Sequence, residues 1–200
     1  DPATGGSGGG AIRIAAAGTV TINGAIRANG GNGNVNYAGA GSGGSIWIAC
    51  ATIAGTNGAV SANGGAAPDW AGGGGGGGRI AVTFNPAAQA AADKPRIRFT
   101  AAYGANLGGY IDQDGTPGTL YFPDAALLDG AWFPHSGQII LDAPEWKPGT
   151  LLVSNTWAFF PMEGFRLTVT NDVTIMGASG RLDIGGNASW RIAGGAGSAN

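Results

Sequence analysis

The chain has 200 residues, which is long enough for one domain with a sizeable hydrophobic core, and 41 of them are glycine. A hydrophobic fraction of 44% argues against a disordered chain, and the scarcity of lysine and glutamate argues against long amphipathic helices. The net charge of −2 gives no electrostatic reason to expect a nucleic acid or an acidic membrane surface as partner, and no apolar run is long enough to span a bilayer.

An internal repeat opens the chain. Residues 8–31 align with residues 42–65 without a gap and with more than half of the positions identical, and a third copy begins in the same register at Gly77. Within each copy, β-branched residues alternate with other residues, as at Ile12 and Ile14. This alternation has the period of a strand, so the repeat is not the helical unit of the same length.

Each copy is predicted to contain three short strands followed by a glycine-rich excursion. Three strands joined by tight turns form one coil of a parallel β-helix, in which equivalent side chains stack above one another. We therefore predict an all-β, right-handed parallel β-helix, with Ile12, Ile46 and Ile80 in an inner ladder and Asn29 above Asn63 at a turn. The predicted strands of the first copy are residues 11–16, 19–22 and 25–29.

Two glycine-rich tracts, residues 30–44 and 64–78, separate the predicted sets of strands. One interpretation is a flexible loop. The other is a set of extended glycine helices packed side by side, which only residues without a Cβ allow at such close approach. The repeat keeps its register across both tracts, which argues against an entirely flexible loop. Both interpretations stay open.

The second part of the chain has fewer glycines and most of the aromatic residues. Asn85 as a cap, Pro86 at the first helical position and the alanines that follow predict one short helix near residues 86–93. We interpret residues 1–84 as a glycine-rich β-helix and residues 85–200 as its less regular, aromatic-rich continuation, the two forming one structural unit. The further predicted strands are residues 96–100, 119–122, 138–141, 150–154, 166–170, 173–176, 181–184 and 190–192.

These motifs resemble the glycine-rich β-helical repeats of very large bacterial surface and secreted proteins. The resemblance rests on GGxIxIA at Gly9–Ala15 and Gly43–Ala49, on AxxANGG at Ala25–Gly31 and Ala59–Gly65, and on the glycine run that ends in RIAV at Val82. It is closest over residues 5–84. It implies an extracellular or cell-surface location and a role in stalks, adhesins or extracellular matrix, without an assigned activity.

Few residues have the pattern of a catalytic or metal site. For Asp112 and Asp114 the alternatives are a catalytic pair, a partial calcium loop or a solvated turn, and the D-x-D-G spelling lacks the third ligand and the distal Glu of a full calcium loop. His135 has no positioned acid beside it, which favours a structural or surface role. We therefore predict no enzyme activity and no cofactor. Asn187 is a candidate glycosylation site because it starts an N-x-S sequence.

The expected function is structural. A stack of parallel strands exposes an unpaired strand at each end, which must be capped or paired. We predict a subunit or segment of a filament, stalk or adhesin, whose partners are further copies of the chain or neighbouring segments of a larger chain. Head-to-tail assembly pairs residues 190–193 of one unit with residues 11–15 of the next. The predicted assembly residues are Ala11, Ile12, Ile14, Trp190 and Ile192.

The alternative function is a β-helix module that binds or processes carbohydrate. It treats the aromatic residues of the second part as an exposed stacking surface for glycans, whereas the other interpretation places them in an irregular core or a protein contact. The alternative predicts a cleft within residues 110–160 and loss of saccharide binding on Trp132→Ala or Asp114→Ala. The aromatic residues concerned are Trp132, Phe133, Trp157, Phe159, Phe160 and Trp190.

Overall fold

The computed structural model of the chain describes residues 4–35, 37–68, 71–109 and 113–185 and the backbone of residues 189–192. The described residues form an all-β structure with one short helix, as predicted. The elements in chain order are β1 (Ala11–Ala15), β2 (Thr19–Thr21), β3 (Ala25–Arg27), β4 (Ser45–Ala49), β5 (Thr52–Ala54), β6 (Gly58–Ser61), β7 (Arg79–Thr83), α1 (Pro86–Ala90), β8 (Ile97–Thr100), β9 (Thr119–Phe122), β10 (Gly137–Leu141), β11 (Glu145–Trp146), β12 (Leu151–Ser154), β13 (Trp157–Phe160), β14 (Arg166–Val169), β15 (Val173–Met176), β16 (Arg181–Ile184) and β17 (Ser189–Ile192).

The largest sheet has seven strands in the order β1-β4-β7-β9-β10-β13-β16, and all of its neighbouring strands are parallel. Ile12 pairs with Ile46 and Ile46 with Ile80, so the predicted inner ladder is confirmed. The amide of Asn29 lies below Asn63 as predicted, because its Oδ1 accepts the Asn63 N–H at 2.9 Å. Each pass of the chain therefore adds one strand to the same sheet.

The other strands form four smaller parallel sheets in the same manner, with the orders β2-β5, β3-β6-β8, β11-β14-β17 and β12-β15. Isolated parallel bridges join Thr100 to Ser136 and Phe133 to Val153. Through these bridges the segment 133–136 connects the sheet that ends at β8 with the sheet that begins at β12. Most passes of the chain thus contribute strands to more than one parallel sheet.

The length of one pass changes along the chain. Ala11 pairs with Ser45, and Ser45 with Arg79, so the first two passes are equal in length and keep the period of the sequence repeat. Arg79 pairs with Thr119, which makes the third pass longer, whereas Thr119 pairs with Gln138, which makes the fourth pass shorter than any before it. The shorter pass lacks the glycine-rich excursion that the earlier passes make between the third strand and the next.

The helix α1 takes the place of a strand beside β5. The side chain of Asn85 caps it by accepting the Ala88 N–H, and Pro86 fills the first turn, as the sequence predicts. Gln89 is 2% exposed, and its side-chain oxygen accepts the Ile53 N–H at 2.7 Å while its nitrogen donates to the Ile53 carbonyl at 3.1 Å. The amide of Gln89 therefore continues the hydrogen-bond ladder of β5.

The hydrophobic core is one cluster that extends from the early passes to the late ones. Its early part is aliphatic, with Ile46 and Ile80 essentially unexposed, and its later part contains large rings such as those of Phe99 and Phe122, which pack edge to face at 5.2 Å. In strands such as β7, β9 and β10, alternate residues are buried in this core. The seven-stranded sheet continues without a break past residue 84.

The structure corrects the exposed-aromatic interpretation for two residues. Phe133 and Phe160 are 4% and 1% exposed and belong to the core. Phe160 lies on β13, a strand that the sequence analysis did not predict, and β11 was also missed. Three of the four residues of β13 are aromatic, so its alternation of inward and outward side chains is not an alternation of apolar and polar types, and β11 has only two residues, too few for a periodic pattern.

Candidate functional site: the open strand edges and the glycine bundle

The glycine-rich tracts and the segments in register with them form an ordered array of extended backbone, which we call the glycine bundle. Its segments are joined by backbone hydrogen bonds that recur every third residue, for example from Ala40 N–H to Gly73 O and from Gly43 N–H to Gly76 O, both 2.9 Å. A period of three is that of an extended glycine helix, so the ordered interpretation is confirmed. The bundle consists of the outgoing residues 28–33, 62–67 and 101–106 and the returning residues 5–10, 39–44, 73–78 and 113–118.

Close approach of the segments explains the need for glycine. A Cβ on Gly41, Gly75 or Gly115 would lie 1.9, 2.0 and 2.1 Å from a backbone oxygen of the neighbouring segment. By contrast, a Cβ on Gly73 or Gly76 would meet its nearest atom at 3.8 and 3.7 Å, which is ordinary contact. Side chains are therefore tolerated only at the positions that face out of the bundle.

The bundle is capped where it ends, at its last layer. In the earlier layers the N–H groups of Gly43 and Gly77 donate to the next layer, and the next residue in this series is Pro117, which has no N–H. The N–H of Asn106, which ends a second such series, donates to the Asp114 carboxylate at 2.6 Å. The Pro117 carbonyl accepts a hydrogen bond from Gln138 Nε2 at 2.8 Å. Two series of N–H groups thus end at this surface without an unpaired donor.

The structure gives Asp114 this capping contact, and Asp112 lies outside the described residues. No group of three or more His, Cys, Asp or Glu side chains that could hold a metal ion occurs in the part of the chain that the structure describes. The weak calcium hypothesis for Asp112 and Asp114 therefore gains no third ligand among these residues. Asn187, the glycosylation candidate, also lies outside them.

The first edge of the seven-stranded sheet is open, since no described strand pairs with β1 on the side away from β4. The Ser45 N–H donates to Gly10 O and the Ala16 N–H to Ala49 O, so the alternation of a parallel ladder turns the N–H groups of Ala11, Arg13 and Ala15 toward the open side. Three of the predicted assembly residues, Ala11, Ile12 and Ile14, lie on this edge strand. The open edge leaves apolar surface exposed, because Ile12 and Ile14 are only partly buried whereas their equivalents in β4 are fully buried.

The last edge of the same sheet is β16, for which no second partner occurs among the described residues. Its inward residues Leu182 and Ile184 are only partly buried. Ile184 pairs with Phe160 and so continues, at the far end of the sheet, the inner ladder that contains Ile12. The predicted assembly residues Trp190 and Ile192 are on β17, at the edge of the β11-β14-β17 sheet, and not in the sheet that contains β1.

The outer face of the seven-stranded sheet carries ring and guanidinium pairs. Arg13 lies over the ring of Trp47 at 4.7 Å, and Arg181 lies over the ring of Trp157 at 4.6 Å. Arg96 lies over Trp132 at 5.4 Å on another part of the surface. These tryptophans are only partly buried, unlike Phe133 and Phe160, and each has a guanidinium over its ring. Phe159 also stacks on the ring of Trp157 at 6.4 Å.

His135 is in the core rather than at the surface. It is 1% exposed, its Nδ1 accepts the Phe99 N–H at 3.2 Å, and the rings of Phe99, Phe122 and Phe133 pack around it. Burial lowers the pKa of His135 to about 3, so the imidazole is neutral at neutral pH. An imidazole in this position supports packing and does not reach a substrate at the surface.

Comparison with protein-family models, with curated proteins and with solved structures found no match for this chain. No helix in the described residues is long and apolar enough to cross a membrane.

Proposed function

We propose that the chain is a glycine-rich, right-handed parallel β-helix that serves as a structural protein outside the cell, as a subunit or segment of a filament, stalk or adhesin. The observation that carries the proposal is the contrast between its surfaces. The last layer of the glycine bundle is capped by Asp114 and Pro117, whereas β1 and β16 expose unpaired backbone and half-buried core residues. An edge without a cap is a template for a further strand.

The two open edges are complementary in register. If β1 of one copy lies on β16 of another, Ile12 falls next to Ile184 and the inner ladder continues across the junction. The strand β2 then faces β17, so Trp190 and Ile192 meet the second strand of the next copy rather than Ala11–Ala15. Completing the burial of each partly exposed aliphatic side chain contributes on the order of 1 kcal/mol, in addition to the new ladder bonds.

Such a contact is heterologous, because the first edge of one copy meets the last edge of the next. A heterologous contact that does not close into a ring builds a fibre. The extracellular location is supported by the resemblance of the repeats and by the low content of charged residues, 11%. Among the described residues the glycine bundle accompanies only the earlier passes, so it would project from one side of each subunit at regular intervals.

Arg13→Pro tests this proposal. The Arg13 N–H faces the open side of β1, so proline removes one donor and blocks the edge without removing a bond between β1 and β4. We expect Arg13→Pro to abolish assembly in sedimentation velocity over a concentration series. The matched control, Arg13→Ala, keeps the backbone N–H and is expected to assemble like the original chain. Equal assembly of both variants would contradict pairing through this edge.

A further inference from the structure

The point at which the glycine excursions stop forms a step in the surface. The last outgoing glycine segment, residues 101–106, has no further layer above it in the described part of the chain, and the strands continue beside it with shorter passes. A cavity of about 560 Å³ lies in the angle of this step. Its lining includes Tyr103, Ser136, Asn155, Trp157, Ser179 and Arg181. We call this cavity the step notch.

Two aromatic rings form adjacent walls of the step notch. The rings of Tyr103 and Trp157 are 5.8 Å apart and nearly perpendicular, at 79°. The indole N–H of Trp157 donates to Asp183 at 2.5 Å, and Arg181 both covers this ring and pairs with Asp183 at 2.6 Å. The Trp157 wall is therefore held in place by its neighbours, while Tyr103 remains 37% exposed.

Polar groups without protein partners complete the lining. In the earlier layers Gly30 N–H donates to Asn63 O and Gly64 N–H to Ala102 O, and the next N–H in this series belongs to Tyr103, which donates to no group among the described residues. Asn155 adopts φ +49° and is exposed, and its side-chain amide has no hydrogen bond within the described part of the chain. A donor and an amide thus flank the aromatic walls.

We propose that the step notch binds a neutral pyranose, as a terminal residue or a short stretch of a polysaccharide. A pyranose ring combines an apolar face, which stacks on aromatic rings, with a rim of hydroxyl groups, which exchange hydrogen bonds with amides and backbone N–H groups. Charge favours a neutral sugar, because Asp183 already neutralises Arg181, the charged residue in the lining named above. The notch shares Trp157 with the aromatic surface predicted from the sequence, whereas Trp132 and Asp114, the two residues of the predicted test, do not line it.

The test is isothermal titration of neutral gluco-, manno-, galacto- and xylo-oligosaccharides of two to four units into the full chain. Tyr103→Ala removes one wall, and Asn155→Gly removes the amide while keeping a residue that tolerates the positive φ. Each is expected to weaken the binding of a panel sugar about tenfold, the loss that follows from one aromatic stack or one hydrogen bond. Trp132→Ala, which removes a half-buried tryptophan outside the notch, is the matched control and is expected to leave the affinity unchanged.

Two results would overturn the proposal. One is the absence of binding by every sugar of the panel, and the other is an affinity that Trp132→Ala lowers as much as Tyr103→Ala and Asn155→Gly do. The titration is repeated on the Arg13→Pro variant, so that binding and assembly are tested independently. Retained binding by Arg13→Pro without assembly is the result expected if both proposals hold. Assembly of the original chain without sugar binding would contradict only the proposal for the step notch, and sugar binding without assembly of the original chain would contradict only the proposed function.

Discussion

At the scale of single residues, the spacing of glycine decides where the backbone segments can touch. The run of glycines before Arg79 contains positions of two kinds, although the sequence letters are the same. Gly75 is pressed against the carbonyl of Gly41 in the neighbouring segment, whereas Gly76 faces outward, where the equivalent position of the next layer is Thr116. Composition alone does not separate the two kinds, but the period of three does.

This difference predicts opposite effects of adjacent substitutions. Gly75→Ala is expected to lower the free energy of unfolding by about 3 kcal/mol or more, because a Cβ 2.0 Å from a backbone oxygen forces the bundle apart. Gly76→Ala is expected to be neutral or to stabilise by about 0.4–1 kcal/mol, since it restricts the unfolded chain without a clash. Urea unfolding of both variants checks this. Similar losses for both would show that the bundle is not packed as described.

His135 predicts the pH dependence of stability. Its pKa is about 3 in the folded chain and about 6.5 when unfolded, so the unfolded chain binds more protons between these values and stability falls as the pH is lowered through this window. The slope is expected to approach about 1.4 kcal/mol per pH unit below about pH 6. Because it is the chain's one histidine, His135→Gln should remove most of the slope between about pH 5 and pH 6.5. An unchanged slope in urea titrations would contradict a buried neutral imidazole.

At the scale of elements, α1 shows how a helix substitutes for a strand. The side chain of Gln89 supplies both the acceptor and the donor that Ile53 of β5 would otherwise find in a third strand. The sequence predicts the helix itself from Asn85 and Pro86, but not the role of Gln89. That role depends on the position of β5, which belongs to the preceding pass of the chain.

Removing the Gln89 amide should therefore lower the free energy of unfolding by more than a change in helix propensity alone would. Gln89→Leu leaves the N–H and carbonyl of Ile53 buried and unpaired, and we expect a destabilisation of about 2–4 kcal/mol. The exposed neighbour gives the control, Ala90→Leu, which is expected to change the free energy of unfolding by less than about 0.5 kcal/mol. Thermal unfolding followed by circular dichroism measures both. A loss below about 1 kcal/mol for Gln89→Leu would show that water replaces the amide.

The strands also show which parts of the fold and of the candidate sites can be predicted from this glycine-rich, repetitive sequence. The internal repeat predicts the register of β1 on β4 and of β3 on β6, because slipping by one residue would turn Ile12 and Ile14 outward. It is wrong by one residue for β2 on β5, where Thr19 pairs with Thr52. The strand β13 escapes prediction since Trp157 and Phe159 face outward while Phe160 faces inward, and all three are aromatic. The step notch escapes as well, because it joins Tyr103 to Asn155 across two separate passes, a contact that no local spacing indicates.

At the scale of the whole molecule, the structure is a stack whose two ends differ from its sides. Along its sides, ladder bonds join neighbouring strands, and the side chain of Gln89 on α1 pairs with β5. Asp114 and Pro117 end two series of N–H groups in the glycine bundle. The first and last strands of the seven-stranded sheet remain open in the described residues, and each presents aliphatic residues of the same inner ladder. End-to-end growth is the contact that buries both edges at once, which is the central claim of the proposed function.

Electron cryo-microscopy of the purified chain over a concentration series tests this claim most directly. Seven strands about 4.8 Å apart give a subunit rise of about 34 Å, so we expect unbranched fibres with that rise and with a projection of the glycine bundle once per subunit. Within each subunit, the strands should lie across the fibre axis in one continuous stack. Isolated particles at every concentration, or fibres in which the subunits touch through their sides, would contradict assembly through β1 and β16.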